Sequence, residues 1–373
     1  MLQFLKHKKF WVPCVTLLAL LVLTEVILRL GWYNRWVKPE SHLGNALNRL
    51  HAIEEYGLNK IDWITVGSSR IDWGIDHGAL AKIQKKNGLD HVRLSFGSAN
   101  FMTMQATIDW SLEHMNSLQG VMLGANENTF SHFNIINNQF KVAWPFKNHM
   151  DLDQYKPLSK NHHTFLPYHR MAWVNYFDDI KAMLRNPASR MEELNQKDSF
   201  KKILSFRKRN HRNLCAHPLK TIQDCVASTK AVNFKKGKNR GFRVINETCS
   251  HPKTKQRAKT NHPILPKDNY QQLITNWVKL INHITEQDIQ FTLVLLPEHE
   301  SLKYIYKPNN ASDITEQILA QVSHSPLFNL IDLRHLLDGR ENCEYFSDPH
   351  HLNNNGISLV NAAVLKHFKN QQK

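Results

Sequence analysis

The segment Ile-Thr-Val-Gly-Ser-Ser-Arg, residues 64–70, decides how we interpret the whole chain. Its β-branched apolar start predicts a buried strand, and Gly-Ser-Ser predicts a tight turn where that strand ends. Reacting groups collect at the carboxyl ends of strands in an open α/β sheet, where a hydroxyl can lie close to backbone N–H donors. Ser69 is therefore a candidate nucleophile, although Gly-Ser-Ser is also common in loops that have no catalytic role.

Strands and helices alternate through the rest of the chain. Apolar runs at 92–96, 120–123, 291–296 and 327–333 predict strands, and helical spacing of apolar residues marks 102–118, 270–284 and 356–368. This alternation predicts a three-layer α/β/α, flavodoxin-like fold with a parallel sheet of about five strands. We assign residues 45–373 to this domain, with a large basic insertion at about 130–263 that is helical around 171–184 and 191–204.

A long apolar segment follows the basic start of the chain. Residues 10–31 are long enough to cross the hydrocarbon core as a helix, with tryptophans near both ends. Because no small-x-small cleavage site ends the run, we expect an uncleaved transmembrane anchor rather than a signal peptide. Glu25 and Arg29 are spaced to pair on one face or to reach toward water.

The lysines before this segment predict its orientation. A basic flank stays in the cytoplasm, so residues 1–9 are expected to be a cytoplasmic tail and everything after residue 31 to be exported. Arg29, Arg35 and Lys38 on the far side weaken this inference. The expected location is the inner membrane, with one span and the folded domain on the periplasmic side.

The formal net charge of +16 indicates an acidic partner or surface. Anionic lipid headgroups and an anionic glycan are candidates, and a solvated basic surface with no specific role is the alternative. We find no zinc-finger spacing, RNP motif or basic-zipper heptad, so nucleic acid is not an expected partner.

The cysteines fit export but do not require it. Cys14 lies in the predicted span, and an oxidising compartment could pair the other four in three ways, with free buried thiols as the alternative. No Cys-x-x-Cys pair occurs, so the cysteines do not resemble a zinc site. We expect neither a metal nor a cofactor. The four cysteines outside the span are Cys215, Cys225, Cys249 and Cys343.

An Asp-x-x-His motif stands just before the last predicted helix. Asp348 lies three residues before His351, so its carboxylate can accept the imidazole Nδ1–H and leave Nε2 free to take a proton from a serine. A serine hydroxyl is a poor nucleophile without such a base, which links this motif to Ser69. His350 is a rival base, but the three-residue spacing favours His351.

Two loops could stabilise the oxyanion of an acyl-transfer reaction. Gly97 follows the second predicted strand and could supply a backbone N–H, and Asn126 follows the third and could supply its side-chain amide. Asn126 could instead simply cap a turn. Arg70 could steer an anionic substrate or form a surface ion pair.

These blocks together resemble the SGNH (GDSL-like) hydrolase superfamily, which contributes Ser, Gly, Asn and His in that chain order. The resemblance runs from about residue 61 to residue 351, apart from the insertion, and it implies the triad and oxyanion hole named above. The matching segments are Gly67-Ser68-Ser69, Phe96-Gly97-Ser98, Gly124-Ala125-Asn126-Glu127 and Asp348-Pro349-His350-His351.

Two departures from the family pattern narrow the resemblance. Ser68 stands where the Asp before the nucleophile is usual, and Glu127 replaces an Asp often found after the Asn. A membrane-anchored chain with Gly-Ser-Ser as its first motif resembles the branch that modifies cell-surface polymers more than it resembles the secreted lipases. That branch includes the D-alanine transfer protein of teichoic acid assembly and the alginate O-acetylation proteins. By analogy, a multi-span membrane acyltransferase is an expected partner.

The resulting hypothesis is a membrane-anchored, exported serine esterase or O-acyltransferase acting on acyl, chiefly acetyl, esters of a cell-envelope glycan. Whether water or a sugar hydroxyl accepts the acyl group stays open, because the triad is the same for both. The first alternative is a non-catalytic SGNH-fold module that binds glycan or scaffolds a membrane acyltransferase. The second is a lipid-acting hydrolase.

Overall fold

A computed structural model describes residues 8–131, 137–151, 154, 170–195, 267–300, 302–303, 310–348 and 350–370. Its centre is a five-stranded parallel sheet in the order β2-β1-β3-β4-β5. The sheet strands are β1 (Trp63–Gly67), β2 (His91–Ser95), β3 (Gly120–Ala125), β4 (Gln290–Leu295) and β5 (Phe328–Asp332). A separate antiparallel pair joins β6 (Phe346–Asp348) to β7 (His351–Leu352).

Helices surround the sheet. In chain order they are α1 (Lys8–Arg29), α2 (His42–Tyr56), α3 (Ser69–Gly74), α4 (His77–Lys86), α5 (Phe101–His114), α6 (Glu127–Ser131), α7 (Asn137–Ala143), α8 (Ala172–Arg185), α9 (Pro187–Asn195), α10 (Lys267–Thr285), α11 (Ala311–Val322) and α12 (Asn354–Asn370). The predicted α/β class with a five-stranded parallel sheet is confirmed.

The strands supply side chains to two separate hydrophobic clusters, because successive residues of a strand point to opposite faces. Val121 and Leu123 of β3 join a large cluster with residues of α2, α5, α10 and α11. Met122, between them, joins a second cluster with residues of α3, α4 and α12. Strands buried on both faces explain the uninterrupted apolar runs that made the sheet predictable from the sequence.

The sequence analysis missed two helices. One of them carries Ser69, and the other packs in the hydrophobic core. The first of them, the short helix α3, begins at Ser69, and α4 follows it at His77. Ser68 caps α3, so the Gly-Ser-Ser turn leads directly into helix. The second missed helix, α11, buries Ile314 and Ile318 in the larger cluster.

Helix α1 is the apolar N-terminal helix. Its segment Trp11–Arg29 is long and apolar enough to cross a membrane, with a mean hydropathy of 2.3, and is almost entirely exposed. By length and composition this helix is compatible with a membrane anchor or a signal sequence.

The predicted insertion is only partly solvated where it is described. Phe140 and Phe146, from α7 and the 3-10 helix Trp144–His149, lie in the larger hydrophobic cluster. The helix predicted at 171–184 is α8, and the one predicted at 191–204 overlaps α9 as far as Asn195. The basic run at 235–240 lies outside the described residues.

The structure shows the bonding state of two of the five cysteines. Cys14 is free and exposed on α1, whereas Cys343 is disulfide-bonded. Cys215, Cys225 and Cys249 lie outside the described residues.

Candidate active site

Three predicted site residues form one hydrogen-bonded chain. The Oγ of Ser69 lies 2.9 Å from the Nε2 of His351. The Nδ1 of the same imidazole lies 2.9 Å from both carboxylate oxygens of Asp348. Nδ1–H therefore donates to the carboxylate, and Nε2 is left to accept the hydroxyl hydrogen of the serine. This is the arrangement that a Ser-His-Asp triad needs.

Close packing between α3 and the sheet places Ser69. Ser69 is the first residue of α3, directly after β1 and its cap. A Cβ added at Gly67 would come within 2.7 Å of the carbonyl oxygen of Gly124, and one added at Gly124 would overlap the side chain of Ile71. The two glycines thus let α3 lie directly on the ends of β1 and β3, which holds the serine at the carboxyl edge of the sheet.

The β6–β7 pair places the other two triad residues. Asp348 and His351 are direct partners in its register, so their side chains project side by side. Asn353 follows β7 and accepts the backbone N–H groups of Asn355 and Gly356, which ties the pair to the start of α12. The Ser347 hydroxyl also donates to the His351 carbonyl at 3.1 Å. Asp348 and His351 are therefore held by backbone pairing on one side and by a helix cap on the other.

The surroundings of Asp348 keep its carboxylate ionised. Burial by itself raises the pKa of this carboxyl group, but the hydrogen bond from His351, the electrostatic attraction of the two neighbouring imidazoles and the backbone N–H of His350 lower the pKa to about 2. The ring of Trp73 packs 4.4 Å from the imidazole of His351, between ring centres. A charged carboxylate thus faces an imidazole whose orientation is also limited by packing.

His350, the rival base, points to a different group. Its Nδ1 lies 3.1 Å from Nη2 of Arg70 and so accepts a hydrogen bond from the guanidinium. Arg70 also donates to Glu298 at 3.1 Å. The ion pair predicted for the surface is instead partly buried, since the two side chains are only 18% and 4% exposed. The geometry selects His351 and not His350 as the partner of Ser69.

Glu298 is a site residue that the sequence analysis missed. It follows the carboxyl end of β4, and it accepts hydrogen bonds from Asn126, Asn128 and Arg70. Burial raises the pKa of the Glu298 carboxyl, and the nearby Arg70 charge opposes that rise. The sequence carried one weak signal for Glu298, its position after a strand at the active edge of the sheet, and many ordinary loop residues share that signal.

The two predicted oxyanion residues differ in how firmly they are held. Asn126 is buried, donates through Nδ2 to Glu298 and accepts the backbone N–H and hydroxyl of Thr129 through Oδ1. One amide hydrogen of Asn126 is left after the bond to Glu298. Gly97 follows β2, and a Cβ added there would meet nothing within 4 Å, so its backbone borders open space.

A small cavity connects several of these residues. Its volume is about 10 Å³, close to the minimum for one water molecule. Arg70, Asn126, Glu298 and His350 contribute to its wall. Asn126 therefore shares a cavity with the neighbours of both Ser69 and His351.

A buried ion network lies beneath the serine-bearing helix. Asp72 of α3 accepts both Nη groups of Arg49, at 2.7 and 3.1 Å, and the hydroxyl of Ser95 at 2.8 Å. Arg93 of β2 approaches the same carboxylate at 3.4 Å. Burial raises the pKa of Asp72, but the two guanidinium charges outweigh it and leave the pKa lowered. This network fixes α3 to α2 and β2.

One group among the described residues could hold a metal ion away from the serine. Glu113, His114 and His149 have ligand atoms within 4.8 Å of one another. The first two end α5, which starts after β2 at the carboxyl edge of the sheet and runs back toward the other edge. The glutamate side chain is 66% exposed. The group is therefore separate from the triad.

Comparison with known proteins adds no relative to this picture. No family model, curated protein or solved structure matches the chain. The functional argument therefore rests on the geometry of the site.

Proposed function

We propose that this protein is a membrane-anchored, exported serine esterase or O-acyltransferase of SGNH type, acting on acyl esters of a cell-envelope glycan. The observation that carries the proposal is the continuous hydrogen-bonded chain from Ser69 through His351 to Asp348. The strand order 2-1-3-4-5 and the two clusters on opposite faces of the sheet support the flavodoxin-like, three-layer form of the fold.

The mechanism follows from the roles of the three side chains. The Ser69 oxygen attacks the ester carbonyl while its proton moves to Nε2 of His351, and Asp348 stabilises the resulting imidazolium. The tetrahedral intermediate collapses to an acyl-serine as the imidazolium protonates the departing alcohol. Water or a sugar hydroxyl then attacks the acyl-serine, giving up its proton to the same nitrogen and releasing free Ser69.

The negative charge of the intermediate needs donors that are already in position. The backbone N–H of Gly97 and the remaining amide hydrogen of Asn126 supply them in this proposal. Glu298 and Thr129 hold the Asn126 amide from both of its polar atoms, which supports a fixed rather than a rotating donor. The role of Arg70 is to orient His350 and Glu298 and to add positive charge beside the site.

Contacts between α1 and the folded domain support retention of the anchor. Glu25 of α1 accepts the backbone N–H groups of Ala172 and Trp173 at the start of α8. A signal sequence removed after export would contribute no such contacts to the mature fold. The orientation in this proposal comes from the basic residues before α1, which favour a cytoplasmic amino terminus and a domain on the periplasmic side of an inner membrane. There a multi-span acyltransferase could deliver the acyl group.

Covalent labelling tests the proposal directly. Full-length protein in detergent is incubated with a fluorophosphonate reagent and, separately, with a chromogenic acetyl ester. We expect Ser69→Ala to abolish labelling and to lower turnover to background, since loss of a triad serine costs on the order of a millionfold. Ser358→Ala is the matched control, because that exposed hydroxyl donates to the Asn354 carbonyl at 2.8 Å within α12, and its loss should leave labelling intact.

The outcomes separate the competing functions. Absence of both labelling and turnover in the wild-type protein would contradict the esterase mechanism and favour a non-catalytic module. Turnover that rises with acyl-chain length and with anionic vesicles would favour a lipid-acting hydrolase over a glycan esterase.

A further inference from the structure

We propose that the first half of α8 lies in the interfacial layer of the membrane, with its aromatic face against lipid. The inference rests on the proposed anchoring role of α1, but it is independent of the esterase chemistry. It assigns a second membrane-contacting surface to the chain, on a helix whose sequence is too polar to span a bilayer.

Hydrogen bonds set the level at which α8 begins. The Glu25 carboxylate accepts the backbone N–H of Ala172 at 2.8 Å and that of Trp173 at 3.1 Å. Glu25 lies four residues before the end of α1, which corresponds to about 6 Å along the helix axis at 1.5 Å per residue. The first turn of α8 is thus level with the last turn of the apolar segment of α1.

The charged pair Glu25–Arg29 in α1 contacts the start of α8. Arg29 donates to Glu25 at 2.6 Å and also donates to the carbonyl of Arg170, just before α8. Charged side chains are costly near a bilayer unless they are paired and hydrogen-bonded. Here Glu25 and Arg29 pair with each other. They also form hydrogen bonds with backbone groups at the start of α8 that have no partner within that helix.

A second set of contacts fixes which face of α8 points outward. Tyr33, just beyond α1, donates to Asp179 at 3.0 Å, and Tyr176 donates to Asn34 at 2.6 Å. Tyr176 is 1% exposed. Since this face of α8 is buried against the end of α1, the opposite face cannot turn inward without breaking both contacts.

The outward face carries the residues expected at a membrane interface. Trp173 and Phe177 are 40% and 50% exposed and stack edge to face, with ring centres 6.0 Å apart. One turn later, Lys181 places its ammonium 5.9 Å from the Phe177 ring centre. Aromatic side chains next to a lysine suit the headgroup level, where the rings contact acyl chains and the ammonium meets phosphate.

Continuity with α1 favours lipid over a protein partner as the occupant of this face. Leu30 and Trp32, directly after α1 and its membrane-length apolar segment, are 63% and 66% exposed. An apolar surface that is continuous with a membrane span meets lipid first, and Lys181 adds attraction to anionic headgroups. A partner protein is the competing occupant that the experiment must detect.

Photocrosslinking from defined positions tests the inference. The photoreactive residue p-benzoylphenylalanine replaces Phe177 in the full-length chain, which is reconstituted in vesicles of phosphatidylethanolamine and phosphatidylglycerol. Two matched positions serve as controls: Leu20 in α1, which is 55% exposed, and Leu330 on the edge strand β5, which is 38% exposed. Mass spectrometry then measures the fraction of chain carrying one added lipid, and thermal unfolding checks that each variant is folded.

The expected result is lipid addition at Phe177 at least about tenfold above Leu330 and approaching that at Leu20. Addition at Leu20 with none above the Leu330 level at Phe177 would overturn the inference and leave the anchor intact. No addition at Leu20 would overturn the anchor and the inference together. In native membranes, crosslinking of Phe177 mainly to another protein would also overturn it, and fluorophosphonate labelling reports on the esterase proposal separately from all these outcomes.

Discussion

Replacing Asp348 by Asn isolates the contribution of one negative charge to the triad. The carboxylate lies 2.9 Å from the imidazole Nδ1 of His351 and accepts the His350 backbone N–H at 2.8 Å. An amide of the same shape can keep the hydrogen bond from the backbone. The introduced amide is neutral, so it does not stabilise an imidazolium. In one of its two orientations it also presents an N–H donor to Nδ1, and the side chain then no longer selects the tautomer of His351 that accepts the serine proton.

The Asp348→Asn change should lower both the turnover of an acetyl ester and the free energy of unfolding. Turnover of an acetyl ester is expected to fall about ten-thousandfold, the cost of removing this charge in a serine triad. Stability is expected to fall as well, because the pKa of Asp348 is lowered from 3.8 to about 2 in the folded protein. At 1.36 kcal/mol per pKa unit, this corresponds to about 2 kcal/mol of unfolding free energy.

The pH dependence of that stability has a definite sign. A carboxyl group whose pKa is lowered by folding stabilises the protein above its unfolded pKa, and this contribution is lost as pH falls through the folded pKa. The wild-type protein should therefore exceed the Asp348→Asn variant in stability by a constant amount above about pH 5, and the difference should shrink as pH falls toward about 2.

The chain provides a matched control for this experiment. Asp338 pairs with His335 at 2.6 Å, also three residues apart, but the two side chains are 59% and 75% exposed. Asp338→Asn should leave turnover unchanged, because solvent screens an exposed pair. Ester turnover and thermal unfolding are measured on both variants. Equal turnover in Asp348→Asn and wild type, or equal losses in the two variants, would refute the assigned role of Asp348.

Two further predictions concern the placement of α3. Asp72→Asn leaves two buried guanidinium groups without their carboxylate and should lower the unfolding free energy by about 3–5 kcal/mol. Asp338→Asn, which breaks a pair whose side chains are 59% and 75% exposed, should cost under about 1 kcal/mol. Similar melting temperatures in the two variants would contradict this. Gly124→Ala should cost about 1–3 kcal/mol and displace Ser69, because the added methyl overlaps Ile71. Gly74→Ala meets only ordinary contacts at 3.9 Å, so an equal effect on fluorophosphonate labelling would show that packing at Gly124 does not position the serine.

The parts of the site that sequence analysis could predict are local in the chain. Asp348 and His351 face each other because they are three residues apart across the β6–β7 pair. Ser69 lies at the edge of the sheet because an apolar strand and a Gly-Ser-Ser turn precede it. The sequence predicted that the three residues come together because the order of their motifs resembles that of the SGNH superfamily. Their catalytic roles are predictions.

The missed parts depend on residues far apart in the chain. Glu298 belongs to the site because β4 pairs beside β3, which brings its carboxylate to Asn126 and Arg70. Neither partner lies within a hundred residues of it. A polar residue after a strand is too common a pattern to distinguish this glutamate from an ordinary loop residue.

By itself, the sequence determined the alternation of strands and helices, the apolar helix at the N-terminus and the Asp-x-x-His spacing. Each follows from side-chain periodicity or short-range geometry, which the order of residues contains directly. Only the tertiary structure decided that Glu298 joins Asn126 and Arg70, that Asp72 holds α3 through two arginines, and that Glu25 caps α8. Those choices depend on which distant segments the sheet and the helices bring together, because hydrogen bonds and ion pairs form only within a few ångströms.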